Sequence, residues 1–149
     1  MQDFPHRYRA TAVARGELVD VSSPGLQGIE TAGPAEFDGP GDRWSPETML
    51  TGAIANCFIL TFRSVARASK FEWVNILCEV EASLDRVNRK NLFTQATLNV
   101  KLAINDPAKR DQAERVLRKS EENCLITNSL TAKVNLLTNI EVAKQAAVG

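Results

Sequence analysis

The stretch Ser45-Pro46-Glu47-Thr48-Met49-Leu50, running on through Ala53, Ile54, Cys57, Phe58, Phe62, Val65 and Ala66, decides how this chain is read. Ser45 is a residue that caps helices, because its hydroxyl can accept from the first free backbone N–H groups. Pro46 then falls at the first helical position, where a missing N–H costs nothing, and Glu47 places a negative charge in the first turn. The apolar residues that follow keep the i, i+3, i+4, i+7 spacing of one helical face, with Thr61 the only polar residue on that stripe. The spacing predicts a long helix pressed on a sheet, with Cys57 in the middle of its core-facing stripe and buried or nearly so.

Upstream, Tyr8, Ala10, Ala12 and Ala14 alternate with Arg9, Thr11, Val13 and Arg15, and Gly16-Glu17 interrupts before Leu18 to Val21, the pattern of a hairpin. A short third strand is expected at Gly28 to Thr31, then a loop where Gly33, Pro34, Gly39, Pro40 and Gly41 crowd together. Downstream, residues 74–84 and 92–104 alternate apolar and polar, giving two half-buried antiparallel strands joined by the polar connection Asp85 to Asn91. Asp106-Pro107 repeats the cap-plus-proline signature and opens a second amphipathic helix to about Glu122, whose stripe extends by spacing to Cys124. Leu130 to Val142 closes the order as a strand with Ala132, Val134, Leu136, Ile140 and Val142 on one face. Hairpins beside helices mean an α+β fold with antiparallel sheets and a long central helix, and no linker divides residues 1–149, so a single domain is expected.

Composition narrows the function. Eighteen Lys plus Arg against eighteen Asp plus Glu leave no net charge with which to hold nucleic acid or an anionic membrane, so neither is expected as a partner. The most apolar run, Met49 to Phe62, is fourteen residues where a bilayer span needs about 20. The N-terminus has no apolar signal core, and a cytoplasmic location is the expectation. A single histidine, His6, leaves little from which to build a His-based metal cage or a Ser-His-Asp triad. Any chemistry must run on sulfur, carboxylate and guanidinium, with no metal or other cofactor expected.

Three cysteines, Cys57, Cys78 and Cys124, fit neither a disulfide framework nor paired zinc spacing. Cys78 continues the inward register of its strand and reads as a core residue. Cys57 and Cys124 lie on, or just beyond, the apolar stripes of two helices that must press on the same sheet, so their thiols can converge. A converged pair permits a peroxidatic and a resolving cysteine: the first thiolate attacks an O–O bond, becomes sulfenic acid, and condenses with the second.

Ser45 to Leu50, then Ala53, Ala55, Cys57 and Phe58, followed by Cys124-Leu125-Ile126, resemble the two cysteine motifs of the OsmC/Ohr family, the osmotically induced protein C and organic hydroperoxide resistance proteins. The order of elements is similar along essentially the whole chain. The resemblance implies an intertwined homodimer acting as a thiol-dependent peroxidase on organic hydroperoxides, recycled by a dithiol reductant without metal or flavin. It gives Cys57 the peroxidatic role and Cys124 the resolving one, and Glu47 matches the family's active-site glutamate. The family also uses an arginine beside the thiol. Arg15, near the first hairpin turn, is the nearest match to the Ohr branch, with Arg9 next; the OsmC-branch position holds Phe37; Arg43, just before the helix, is a third candidate. A thiol among apolar neighbours would stay protonated without such a cation. On this reading the pocket is lined by Phe58, Phe62 and Trp44. The alternative is a non-catalytic homodimer of the same fold that binds a small apolar ligand.

Overall fold

The computed structural model of the chain describes residues 1–143. Two compact units meet along the chain, one of residues Met1–Leu50 and one from Thr51 onward.

The first unit is a three-stranded antiparallel sheet, β1 (Thr11–Arg15), β2 (Leu18–Ser22) and β3 (Ile29–Thr31), in that order. The turn between β1 and β2 uses Gly16 at φ 64°, a left-handed conformation that glycine adopts at no steric cost. The pairing of Val13 with Asp20 and of Asp20 with Glu30 fixes which residues share a face. Ala12, Val19, Val21 and Thr31 lie on one side; Arg15, Asp20 and Glu30 lie on the other. A 3-10 turn at Ala35–Phe37 follows, and its loop is closed by Gly39, whose N–H donates to the Pro34 carbonyl at 2.9 Å. A Cβ on Gly39 would stand 1.8 Å from the Gly33 carbonyl oxygen, so only glycine fits there.

Helix α1 (Pro46–Ala68) begins as the sequence predicts. The Thr48 N–H donates to Ser45 Oγ at 3.1 Å, and the Ser45 N–H donates back to Thr48 Oγ1 at 2.8 Å, a reciprocal cap with threonine in the place usually taken by glutamate. At 23 residues α1 outruns the fourteen-residue apolar stretch and is long and apolar enough, by length and composition, to cross a membrane. Core helices pass the same test, and Ile54, Phe58, Phe62 and Ala66 of α1 lie in a hydrophobic core.

That core belongs to the second unit, where β4 (Asn75–Val87), β5 (Lys90–Ile104) and β6 (Lys133–Val142) form a sheet in the order β4-β5-β6. Ala96, Leu98, Val100, Leu102 and Ile104 of β5 are buried at every second position. Two departures from expectation concern this sheet. The polar connection is much shorter than Asp85 to Asn91, because both strands run on to a turn at Asn88 and Arg89, each at positive φ. The last strand starts at Lys133 rather than Leu130 and pairs parallel to β5, where antiparallel pairing was expected. Alternation reveals which residues face the core but not which way the strand points, and the intervening α2 (Arg110–Glu122) and α3 (Leu125–Asn128) supply the crossover that a parallel pair requires. Asp106 Oδ1 accepts from the Ala108 N–H at 2.9 Å as expected of a cap, but a 3-10 turn at Pro107–Lys109 precedes α2. The short helix α3, which has no counterpart in the sequence reading, starts at the residue after Cys124.

Candidate active site

In the second unit Cys57 and Thr61 occupy successive turns of α1, and Cys57 Sγ lies 3.9 Å from Thr61 Oγ1. Cys124 stands at the N-cap of α3, fully buried, and Cys57 is one of the groups that act on its thiol. The structure therefore brings together the two cysteines that spacing had put on two separate helices. They differ in access. Cys57 is half-buried and lines a cavity of about 460 Å³ with Ala53, Asn56, Leu60, Thr61, Ser64, Leu125 and Ile126, whereas Cys124 is not part of that lining.

Burial also sets the electrostatics of Cys124. Burial pushes the Cys124 thiol up, the backbone and hydroxyl of Thr127 work against that rise, and Cys57 adds to it. Thr127 is itself buried and its hydroxyl donates to the Cys124 carbonyl at 3.1 Å. Cys78 packs against the core as expected, and burial, helped by the proximity of Cys124, pushes its thiol up to about 12. Of the three cysteines Cys57 lines the cavity, while burial raises the thiols of Cys78 and Cys124.

Phe58 and Phe62 were expected to line the pocket, and this is corrected. Both are fully buried in the core, Phe62 meeting Trp73 edge-on at 5.3 Å between centroids, and neither lines the cavity at Cys57. One apolar stripe in sequence is two rows in space. Ile54, Phe58, Phe62 and Ala66, four apart, face the core, while Cys57 and Thr61, turned by about 100° from the phenylalanines, face the cavity. Asn56, Leu60 and Ser64, a further row missed by the sequence reading, line the same cavity.

The remaining candidates belong to the first unit. Glu47 lies in the first turn of α1, with one carboxylate oxygen out of contact with solvent, and lines an apolar groove of about 700 Å³ with residues that include Ala12, Val19, Val21, Phe37 and Leu50. Arg15 lies on the other face of the sheet, its Nε donating to Asp20 Oδ2 at 2.8 Å and its Nη2 to Glu30 Oε2. These carboxylates hold the guanidinium firmly protonated, and it in turn holds the Asp20 carboxyl below its usual range. Arg43 Nε donates to Glu30 Oε1 at 2.7 Å, and Arg43 shares a cavity of about 490 Å³ with Trp44, Glu30 and Thr48. Trp44, 56% exposed, therefore belongs to a different cavity from Cys57. Arg9 enters through its backbone, its carbonyl accepting from Ser23 Oγ at 2.8 Å. Glu30, the carboxylate between the two arginines, had no signal in the sequence, because its partners are 15 and 13 residues away. Among the described residues no His, Cys, Asp and Glu cluster forms a metal-binding group.

Comparison with known proteins gives the fold and the family. The uncharacterized protein YmaD of Bacillus subtilis is 29% identical over 108 residues, which cover 69% of this chain and 71% of YmaD. An OsmC-like protein of unknown function from Vibrio cholerae superposes with a TM-score of 0.83 at 16% identity, over 91% of this chain and all of that one. The organic hydroperoxide resistance protein OsmC of Legionella pneumophila superposes at 0.73 with 24% identity, over 94% of this chain and all of that one. The profile of the OsmC-like proteins matches residues 39–139, a span that includes both motif cysteines and the whole of α1, and the chain belongs to that family.

Proposed function

We propose that the protein is a thiol-dependent peroxidase for organic hydroperoxides, with Cys57 as the attacking sulfur and Cys124 as the resolving one. One observation carries the reading: two neighbouring thiols of which only Cys57 reaches an uncharged, largely apolar cavity. The Cys57 thiolate attacks the terminal oxygen of the peroxide; an S–O bond forms, the O–O bond breaks, and the alkoxide leaves as alcohol on taking a proton. Cys124, buried and protonated, then attacks the sulfenic sulfur, and its proton departs with the hydroxyl as water, leaving a Cys57–Cys124 disulfide. A dithiol reductant regenerates both thiols by two exchanges and leaves as its own disulfide.

The lining of the cavity at Cys57 carries no charged side chain, so the cation that holds the thiolate has to come from outside it. A homodimer in which the partner subunit completes the site supplies it. The same assembly would cover the apolar groove that holds Glu47. Glu47 and Cys57 are ten residues apart on one straight helix, roughly 15 Å along its axis, so a carboxylate serving Cys57 is best supplied by the partner.

The test is thiol stoichiometry. One equivalent of an organic hydroperoxide should consume two free thiols per chain and yield a Cys57–Cys124 disulfide by mass spectrometry. In Cys124→Ser the same treatment should leave Cys57 as sulfenic or sulfinic acid, because the resolving thiol is gone. Thiols that ignore excess hydroperoxide would favour an apolar-ligand-binding homodimer instead.

A further inference from the structure

Cys57 shares its cavity with three side chains that can donate a hydrogen bond without carrying charge, Asn56, Thr61 and Ser64. They are not equivalent. Asn56 and Ser64 are exposed, so water competes for their donors, whereas Thr61 is half-buried like Cys57 itself. Thr61 is also the one polar residue on the apolar stripe of α1, four positions after the cysteine. Helical side chains lean toward the N-terminus, so the side chain of Thr61 lies over the turn that carries the sulfur. Its Oγ1 stands 3.9 Å from Cys57 Sγ. A serine or threonine hydroxyl in a helix has another acceptor open to it, the carbonyl four residues back. Ser120 of α2 and Ser129 just after α3 donate there, to Val116 at 2.6 Å and Leu125 at 2.8 Å. Thr61 has a sulfur within reach instead.

That contact does not treat the two forms of cysteine alike. A thiol is a weak donor and a weak acceptor, so beside a neutral Cys57 the hydroxyl gains little. A thiolate is a full acceptor, and a hydrogen bond to an ionised partner is roughly twice as strong as one between neutral groups. The lining of the cavity has no charged side chain of its own to do this work. We infer that Thr61 is the hydroxyl donor that holds the Cys57 thiolate from within the same helix. The inference rests on the peroxidase reading and refines it, by naming a group in contact with the reacting sulfur.

The experiment measures the rate of Cys57 alkylation by iodoacetamide against pH, resolved by site with mass spectrometry, alongside the second-order rate with an organic hydroperoxide. Thr61→Val exchanges the hydroxyl for a methyl of similar shape, and Thr61→Ser keeps the hydroxyl. Thr61→Val should move the midpoint of the alkylation profile up by about half a pH unit and slow both reactions about threefold below the midpoint. On the high-pH plateau, where Cys57 is ionised with or without a donor, its alkylation rate should return to that of the parent. Thr61→Ser should keep the parent's midpoint. A Thr61→Val midpoint within about 0.2 pH unit of the parent would overturn the inference. So would a deficit of one size at every pH, which marks altered access rather than ionisation, or a Thr61→Ser midpoint displaced as far as that of Thr61→Val. If Thr61→Val does not fold, Thr61→Ala, which helices favour, takes its place against Thr61→Ser under the same criteria. A parent that consumes no peroxide defeats the peroxidase reading alone, because the alkylation profile still decides what Thr61 does to Cys57.

Discussion

The two sheets of this chain solve the burial problem differently. The β4-β5-β6 sheet buries every second residue of its central strand from Ala96 to Ile104 in one core with residues of α1 and α2. The β1-β2-β3 sheet has strands of five, five and three residues, every residue of β1 is exposed, and its apolar side remains an open groove. The unit of the long sheet also buries a sulfur, Cys124, at the N-cap of α3. The short one carries the charges, Arg15, Asp20, Glu30 and Arg43, with Glu47 in the groove on its other side. The neighbouring thiols and the arginine–carboxylate network therefore belong to separate parts of the chain.

The largest effect that separates these roles is expected from Cys57→Ser. Oxygen for sulfur is a small change in volume, so the far-UV spectrum should be retained while peroxide turnover falls to the uncatalysed rate; turnover equal to the parent would remove the thiols from the mechanism. Next comes a contrast of stabilities. Phe62→Ala, emptying a fully buried site, should cost about 3 to 5 kcal/mol in urea denaturation. Val13→Ala on β1, where the side chain is 58% exposed, should cost less than about 0.5 kcal/mol. Comparable costs would mean that the short sheet is as well covered as the long one, by a partner subunit already in place.

A smaller signal tests whether the two parts cooperate across chains. Glu47→Ala and Cys57→Ser, each inactive alone, should regain partial activity when dissociated, mixed and reassociated, because one site in each heterodimer would hold both groups. Inactive heterodimers would assign Glu47 to its own chain. The smallest effect concerns Cys78. A thiol whose pKa is raised by folding contributes stability that is complete below the unfolded value of 9.0 and is lost as pH rises toward about 12. Cys78→Ala should therefore lose less stability than the parent between pH 9 and the highest pH at which unfolding stays reversible. Parallel pH profiles would show that Cys78 titrates normally.

Local chemistry was legible in the sequence. Ser45, Pro46 and Asp106 announced helix starts because a cap acts within three residues, and the alternation in β4 and β5 announced their inward faces. The approach of Cys57 to Cys124 was also foreshadowed, since two stripes on one sheet have few ways to avoid each other. The parallel pairing of β6 was not, because strand direction depends on the intervening helices rather than on the strand's own residues. The misassigned phenylalanines show the limit of a stripe, which counts apolar positions and does not say which of its rows faces the core. The Glu30 network was invisible for another reason: charge pairs formed across strands leave no period to find.

The β4-β5 hairpin reaches past the end of β6, which accompanies β5 only from Gln95 to Ile104. From Leu84 to Phe93 the ribbon therefore has two strands and two open edges, the form most prone to recruit a stray strand from another molecule. Its sequence answers that hazard. Asp85, Arg86, Arg89 and Lys90 crowd the tip around the turn, and the register slips between Ser83 and Leu84 at the point where the ribbon leaves the three-stranded part of the sheet. A strand arriving at this edge would have to bury charges of both signs and follow a shifted register.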